Sequence, residues 1–287
     1  MIRTFTACLF ALVIIFSGCS QKKQVVDLGE IYNRSARSHP IDRHPVILIP
    51  GIKGSRLVDG KTGMVIWGAF GGGGLNPNTS LGLDLFSVPM QKGVPLNELT
   101  DSIAADGVLD SVQVRLAGLS FNLKAYYNIV SILGAGRYLD YDIASKTAPV
   151  DYGKHHFTCF QFAYDWRLSI DENARHLAEF IEKKRAFVQE QIKEKYGIPG
   201  YNVKFDLIAH SMGGLLSRYF LRYGGAKVES VDMDAPVPWT GAEKIDKLVM
   251  IGTPNAGSVE AVVNFADGMI VGPLLPKFSQ TLVGNIP

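Results

Sequence analysis

In the stretch DLIAHSMGGLLSRY, residues 206–219, one serine stands between an apolar run and the glycines that open a helical pattern. The spacing Ala209-x-Ser211-x-Gly213 puts small residues on both sides of it. That lets a backbone turn sharply from strand to helix and lift a hydroxyl clear of the sheet. Ser211 is therefore a candidate nucleophile for acyl transfer, and the Met212 amide, at the helix start, is a candidate donor to the oxyanion that forms. A second donor is expected from the loop after an earlier strand. The run VILIPGIKGSRL offers the Ile52 amide, with Gly51 allowing close approach to a substrate. A third run, FAYDWRLS at residues 162–169, carries Asp165 and Arg167, which can pair with Tyr164 and Trp166 packed around them. Bracing of the loop is a better reading of that pair than direct chemistry. A fourth run, MIGTPNAGS at 250–258, also leaves a strand through a glycine-rich turn.

These residues need elements to hold them. Four runs, 46–49, 157–162, 203–208 and 247–251, are apolar on both faces, as in a parallel sheet covered by helices on each side. Between the second and third lies a helical pattern from Glu172 to Tyr196, with Leu177, Phe180, Ile181, Val188 and Ile192 on one stripe and Gly197 and Pro199 as its stop. A second helix is expected over Leu215 to Arg222, ending at Gly224 and Gly225. The alternation predicts an α/β fold with a mainly parallel sheet. More than a hundred residues separate Pro50 from Phe157, far more than a crossover needs, so a lid or cap is expected over about 65–150.

Composition narrows the class. With 29 basic and 27 acidic residues, no footprint for nucleic acid is present. Apolar residues make up 47% of the chain, enough for a large core. At the start, Arg3 precedes an apolar run from Ala7 to Phe16 and then Ser17–Gly18–Cys19. The run is short for a membrane span but suits a secretory signal, and its end resembles a bacterial lipobox with Cys19 as the lipidated residue. A plain cleaved signal or an uncleaved anchor is the alternative. The expected organisation is a signal at 1–18, a polar tether at 19–44 and one domain at 45–287. Cys159 is then the single cysteine of the body, a buried small hydrophobe without a disulfide partner. No metal or cofactor is expected.

Together VILIPGIKGSRL, TGMVIWG, FAYDWRLS, AHSMGG and IGTPNAGS occur in an order that resembles the lecithin:cholesterol acyltransferase family of α/β-hydrolases. The resemblance runs from about Pro45 to the end of the chain. It implies an enzyme that moves fatty acyl groups from lipid esters through an acyl-serine to an alcohol or to water. It also implies Ser211 as nucleophile, Met212 and Ile52 as oxyanion donors, and the insertion as a membrane-facing lid. Ala209 departs from the glycine common in the family, but is also small.

In this fold the acid and the histidine follow the serine along the chain. All six histidines here, His39, His44, His155, His156, His176 and His210, are at or before position 210. His210 sits in the elbow and is expected to point away, leaving His176 the least remote of the others. Asp232, Asp234, Asp246 and Asp267 follow Ser211, but none sits just after an apolar strand. With few readable strands and an ending at TLVGNIP, the acid and base are expected beyond residue 287. Two functional classes stay open: a membrane-anchored lipid acyltransferase or lipase in the bacterial cell envelope, and an inactive relative that binds lipid, or another protein, through the same pocket.

Overall fold

A computed structural model describes residues 43–68, 75–76, 79–88, 93–94, 101–109, 111–116, 119–124, 126–135, 158–269 and 277–280. The expected signal, nearly all of the tether, Cys19, the glycine run 71–74, His39, His155, His156 and much of the expected lid lie outside these residues.

Four strands form the central sheet: β1 (Val46–Ile49), β7 (Cys159–Gln161), β8 (Phe205–His210) and β9 (Ile245–Ile251), in the order β7-β1-β8-β9. All pairings are parallel. Every residue of β1 is buried, which explains its unbroken aliphatic sequence at the middle of the sheet. Burying each such side chain stabilises the fold by about 1.5–3 kcal/mol. Because the strands run the same way, Pro50, Phe162, Ser211 and Gly252 leave the sheet at one edge, and that edge is where open α/β sheets bind ligands.

Helix α3 (Ile170–Tyr196) starts where Ser169 accepts from the Glu172 amide, with Asp171 and Glu172 in its first turn. It ends at Gly197, in the left-handed conformation, after Lys193 and Lys195 in its last turn. Both charge placements suit the helix dipole. Its buried stripe, Leu177, Ile181, Val188 and Ile192, faces the core; the expected Phe180 is only partly buried. Helix α4 (Met212–Tyr223) packs on α3 and begins three residues before the expected Leu215. Helix α5 (Val259–Asp267) follows β9 and is capped by Ser258.

One strand departs from expectation. The run 247–251 was expected to be buried on both faces, yet Val249, Met250 and Ile251 are 41–50% exposed. β9 is the outer strand of the described sheet, and α5, which follows it, buries none of its own residues, so it leaves these side chains uncovered.

The long insertion begins as an antiparallel sheet, β3-β2-β4, made from β2 (Ser55–Asp59), β3 (Val65–Trp67) and β4 (Ile103–Val108). The helix α1 (Ser80–Phe86), a hairpin of β5 (Ser111–Leu116) and β6 (Leu119–Lys124), and α2 (Tyr127–Ala135) complete its described part. Its base is no loose appendage. Leu57, Ile66, Trp67 and Phe86 are buried in one cluster with Ile47, Trp166 and Leu207. Among the described residues, no helix is long and apolar enough to cross a membrane.

Candidate active site

Ser211 is the single residue between β8 and α4, and its backbone has φ 51° and ψ −122°. Residues with a side chain avoid that region, and holding one there costs about 1–3 kcal/mol unless surrounding bonds enforce it. Here the Ser211 amide donates to the Ile251 carbonyl at 2.9 Å, and the Gly214 amide donates to the Ser211 carbonyl at 3.0 Å. Gly213 is dictated by contact: a Cβ there would lie 2.4 Å from the Pro50 carbonyl oxygen. Helix α4 can thus start directly against the loop after β1. The Met212 amide is in its first turn, where amides have no intrahelical acceptor. The Ser211 hydroxyl does not cap this helix.

The facing loop, residues 50–54, is held peptide by peptide. In the Pro50–Gly51 unit, the carbonyl accepts from the Tyr164 hydroxyl at 2.9 Å and the amide donates to the Tyr126 hydroxyl at 2.8 Å. The Gly51 carbonyl accepts from the Gly54 amide at 3.0 Å, closing a turn. In a planar trans peptide the carbonyl and the next amide point opposite ways, so the Ile52 amide points out of that turn. The Lys53 carbonyl accepts from Trp67 Nε1 at 2.9 Å, which fixes a residue whose φ is 64°. Gly51 must be glycine, since a Cβ would stand 2.8 Å from Ser211 Cβ.

Behind the loop lies the aromatic run. Arg167 is fully buried and forks onto Asp165, with Nε to Oδ1 at 3.0 Å and a terminal nitrogen to Oδ2 at 2.6 Å. It also donates to Asp101 at 2.9 Å and to the Phe86 carbonyl at 3.1 Å. One guanidinium therefore joins the exit of β7 to α1 and to the segment leading into β4. Trp166 packs edge-on against Trp67, with centroids 5.4 Å apart, and its Nε1 donates to the Ser55 carbonyl at 3.3 Å. Asp165, Trp166 and Arg167 thus form a brace.

The loop, the elbow and α5 enclose a cavity of about 420 Å³. Ser211, Met212, Ile52, Trp166 and Phe265 line it, with Lys53 and Glu260 as its ionisable residues. The Lys53 ammonium is held below its ordinary range by burial, opposed by Glu260, and it donates to Met269 Sδ at 3.2 Å. A largely apolar cavity beside a serine hydroxyl suits a hydrophobic ester.

Among the described residues, no histidine hydrogen-bonds Ser211. His210 directs Nδ1 to the Tyr126 hydroxyl at 2.8 Å, and burial lowers its pKa. His176 stands 2.9 Å from Arg175 and 3.5 Å from Glu172 on α3. His44 lies at the opposite edge of the sheet, 3.3 Å from Asp246 and 3.7 Å from Asp206. That trio has donor atoms close enough to share a metal ion, but the Lys247 ammonium already sits on Asp246 and 3.9 Å from Asp206.

The sequence reading missed Tyr126, Ser55 and Asp101, which fix the loop and the brace from within the insertion. No local spacing marks them, because each acts across 66 to 111 residues of chain.

The model of the lecithin:cholesterol acyltransferase family matches residues 111–285, more than half of the chain. The chain belongs to that family. This membership supports lipid acyltransferase or phospholipase chemistry at the level of the family. One relative, the uncharacterized protein YJR098C of Saccharomyces cerevisiae (strain ATCC 204508 / S288c), is 42% identical over 62 residues. Those residues are 22% of this chain and 8% of that protein, so the chain spans under a tenth of its length. A chain in the crystal structure of the Tle4-Tli4 complex is 17% identical, with a TM-score of 0.47. It matches over 85% of this chain and 52% of its own length. The α/β-hydrolase fold of this family member rests on the sheet and elbow above rather than on that likeness.

Proposed function

We propose that the protein is a lipid O-acyltransferase or lipase that works through an acyl-enzyme at Ser211. The observation that carries this is the serine corner itself: a side chain held at φ 51° between strand and helix, on the wall of an apolar cavity of about 420 Å³. Glycine would adopt this conformation at less cost, so a serine there is explained by a nucleophile's need for a hydroxyl at a helix start.

In this reading the Ser211 hydroxyl attacks the carbonyl carbon of a lipid ester while a histidine outside the described residues takes its proton. The Met212 and Ile52 amides hold the oxyanion. As the ester bond breaks the histidine passes that proton to the leaving oxygen, and the neutral alcohol departs. The acyl group stays on Ser211 until an alcohol or water, giving its own proton to the histidine, attacks it. The insertion shields this intermediate and meets the membrane. Cys19 carries a lipid anchor that keeps the enzyme in the bacterial cell envelope, next to its substrate.

The test uses the full natural chain with a fluorophosphonate probe and a lipid ester. Wild type is expected to label and turn over, and Ser211→Ala to do neither while melting as wild type does. Turnover that survives in Ser211→Ala would sink the proposal, and a wild type that binds lipid without labelling would replace it with a lipid-binding role.

A further inference from the structure

We infer that Tyr126, from the insertion, is a positioning residue for the reaction at Ser211, clamping the oxyanion loop and the residue before the nucleophile with one hydroxyl. The inference rests on reading Ser211 as the nucleophile.

The argument begins with Gly51. Its approach to Ser211 excludes any Cβ, and glycine brings wide backbone freedom to the point where an oxyanion donor must stand still. Two phenols remove that freedom. Tyr164, from the strand exit of the core, takes the carbonyl of the Pro50–Gly51 peptide; Tyr126 takes its amide. With both ends of one plane held, the next peptide, which carries the Ile52 amide, keeps its direction.

The Tyr126 hydroxyl has a second partner. Accepting from Gly51 leaves its own proton for a neighbour, and His210 Nδ1 is 2.8 Å away. Burial favours the neutral imidazole, so Nδ1 can accept. The bonds run from Gly51 N–H to Tyr126 O–H to His210, and His210 is joined covalently to Ser211. One buried hydroxyl thus sets the loop and the elbow relative to each other. Tyr126 is itself seated: it packs in a cluster with Leu48, Val108 and Val130, and its carbonyl accepts from the Val130 amide at the start of α2. The placement of α2 is therefore transmitted to the alignment of the reacting groups.

Such a residue affects the rate of the chemical step rather than substrate binding, since Tyr126 is not in the cavity wall. The test measures kcat and KM for p-nitrophenyl butyrate with the full natural chain, comparing wild type, Ser211→Ala, Tyr126→Phe, His210→Ala and His210→Asn. Tyr126→Phe is expected to lose about tenfold or more in kcat, somewhat less than loss of an oxyanion donor, with KM little changed. In 15N spectra its His210 Nδ1 resonance should move as the donor is lost. His210→Asn, which can present an oxygen where Nδ1 stands, should keep most of kcat, while His210→Ala should lose as much as Tyr126→Phe. A folded Tyr126→Phe with wild-type kcat overturns the inference. If that variant does not fold, equal rates in the two His210 variants overturn it. Turnover that is independent of Ser211 removes the proposed function itself, and this inference with it. Ser211-dependent turnover with an indifferent Tyr126 removes the inference alone.

Discussion

Replacing Ser211 with glycine should abolish activity and make the protein more stable. At φ 51° and ψ −122° the Cβ of Ser211 is strained by about 1–3 kcal/mol, and glycine relieves this because it has no Cβ. Against that, glycine adds freedom to the unfolded chain, costing about 0.4–1 kcal/mol. The hydroxyl does not cap α4, so its loss removes no helix-capping bond. The right comparison is Ser211→Ala, which also lacks the hydroxyl but keeps the Cβ and therefore the strain. Taking the middle of each range, Ser211→Gly should be about 1 kcal/mol more stable than Ser211→Ala. That corresponds to roughly 2–4 °C in Tm for a domain of this size. Urea unfolding of both variants in one buffer, fitted with a shared slope, measures the difference. If the glycine variant is equal to or less stable than the alanine variant, the corner is unstrained. The argument that function holds this serine in place then fails.

Two other variants test the brace and the anchor. Arg167→Met leaves the Asp165 Oδ2 without its charged partner in a buried site and should cost about 3–5 kcal/mol, and Asp165→Asn added to it should recover part of the loss; a denaturant midpoint shift equivalent to under about 1 kcal/mol would mean the pair is no more than a surface ion pair. Cys19→Ala should release the protein from membranes or arrest its maturation, and unchanged fractionation together with unchanged mass would point to a plain anchor instead.

What the sequence disclosed follows from how local each signal is. The elbow was legible because Ala209, Ser211 and Gly213 act within one turn of chain. Strand β1 was legible because burial on both faces leaves an aliphatic run, and β8 through its buried Phe205, Leu207 and Ala209, which alternate with half-buried residues. Helix α3 announced itself through its stripe and through Gly197. Its partner α4 begins three residues before the expected start, since Gly213 and Gly214 have weak helical preference and are drawn into the helix by the corner before them. Strand β9 carries the composition of a buried strand while standing at the sheet edge, and composition does not report position. The loop clamps were invisible: Tyr126 and Ser55 look like ordinary residues of an insertion until the fold carries them to Gly51 and Trp166.

The two-phenol clamp on the Pro50–Gly51 peptide also orders events in time. Its bonds close loops of 75 and 114 residues, and the Trp166 bond to Ser55 closes one of 111. Contacts so distant along the chain are slow to form, because the entropy of closing each loop is lost before the contact returns anything. The helices α3 and α4, built on local bonds, can appear early; the oxyanion loop cannot set until both the insertion and the β7 exit have docked. A nascent or half-folded chain thus carries its serine without a finished site. The clamped corner around Ser211 is therefore the last part of the site to be completed.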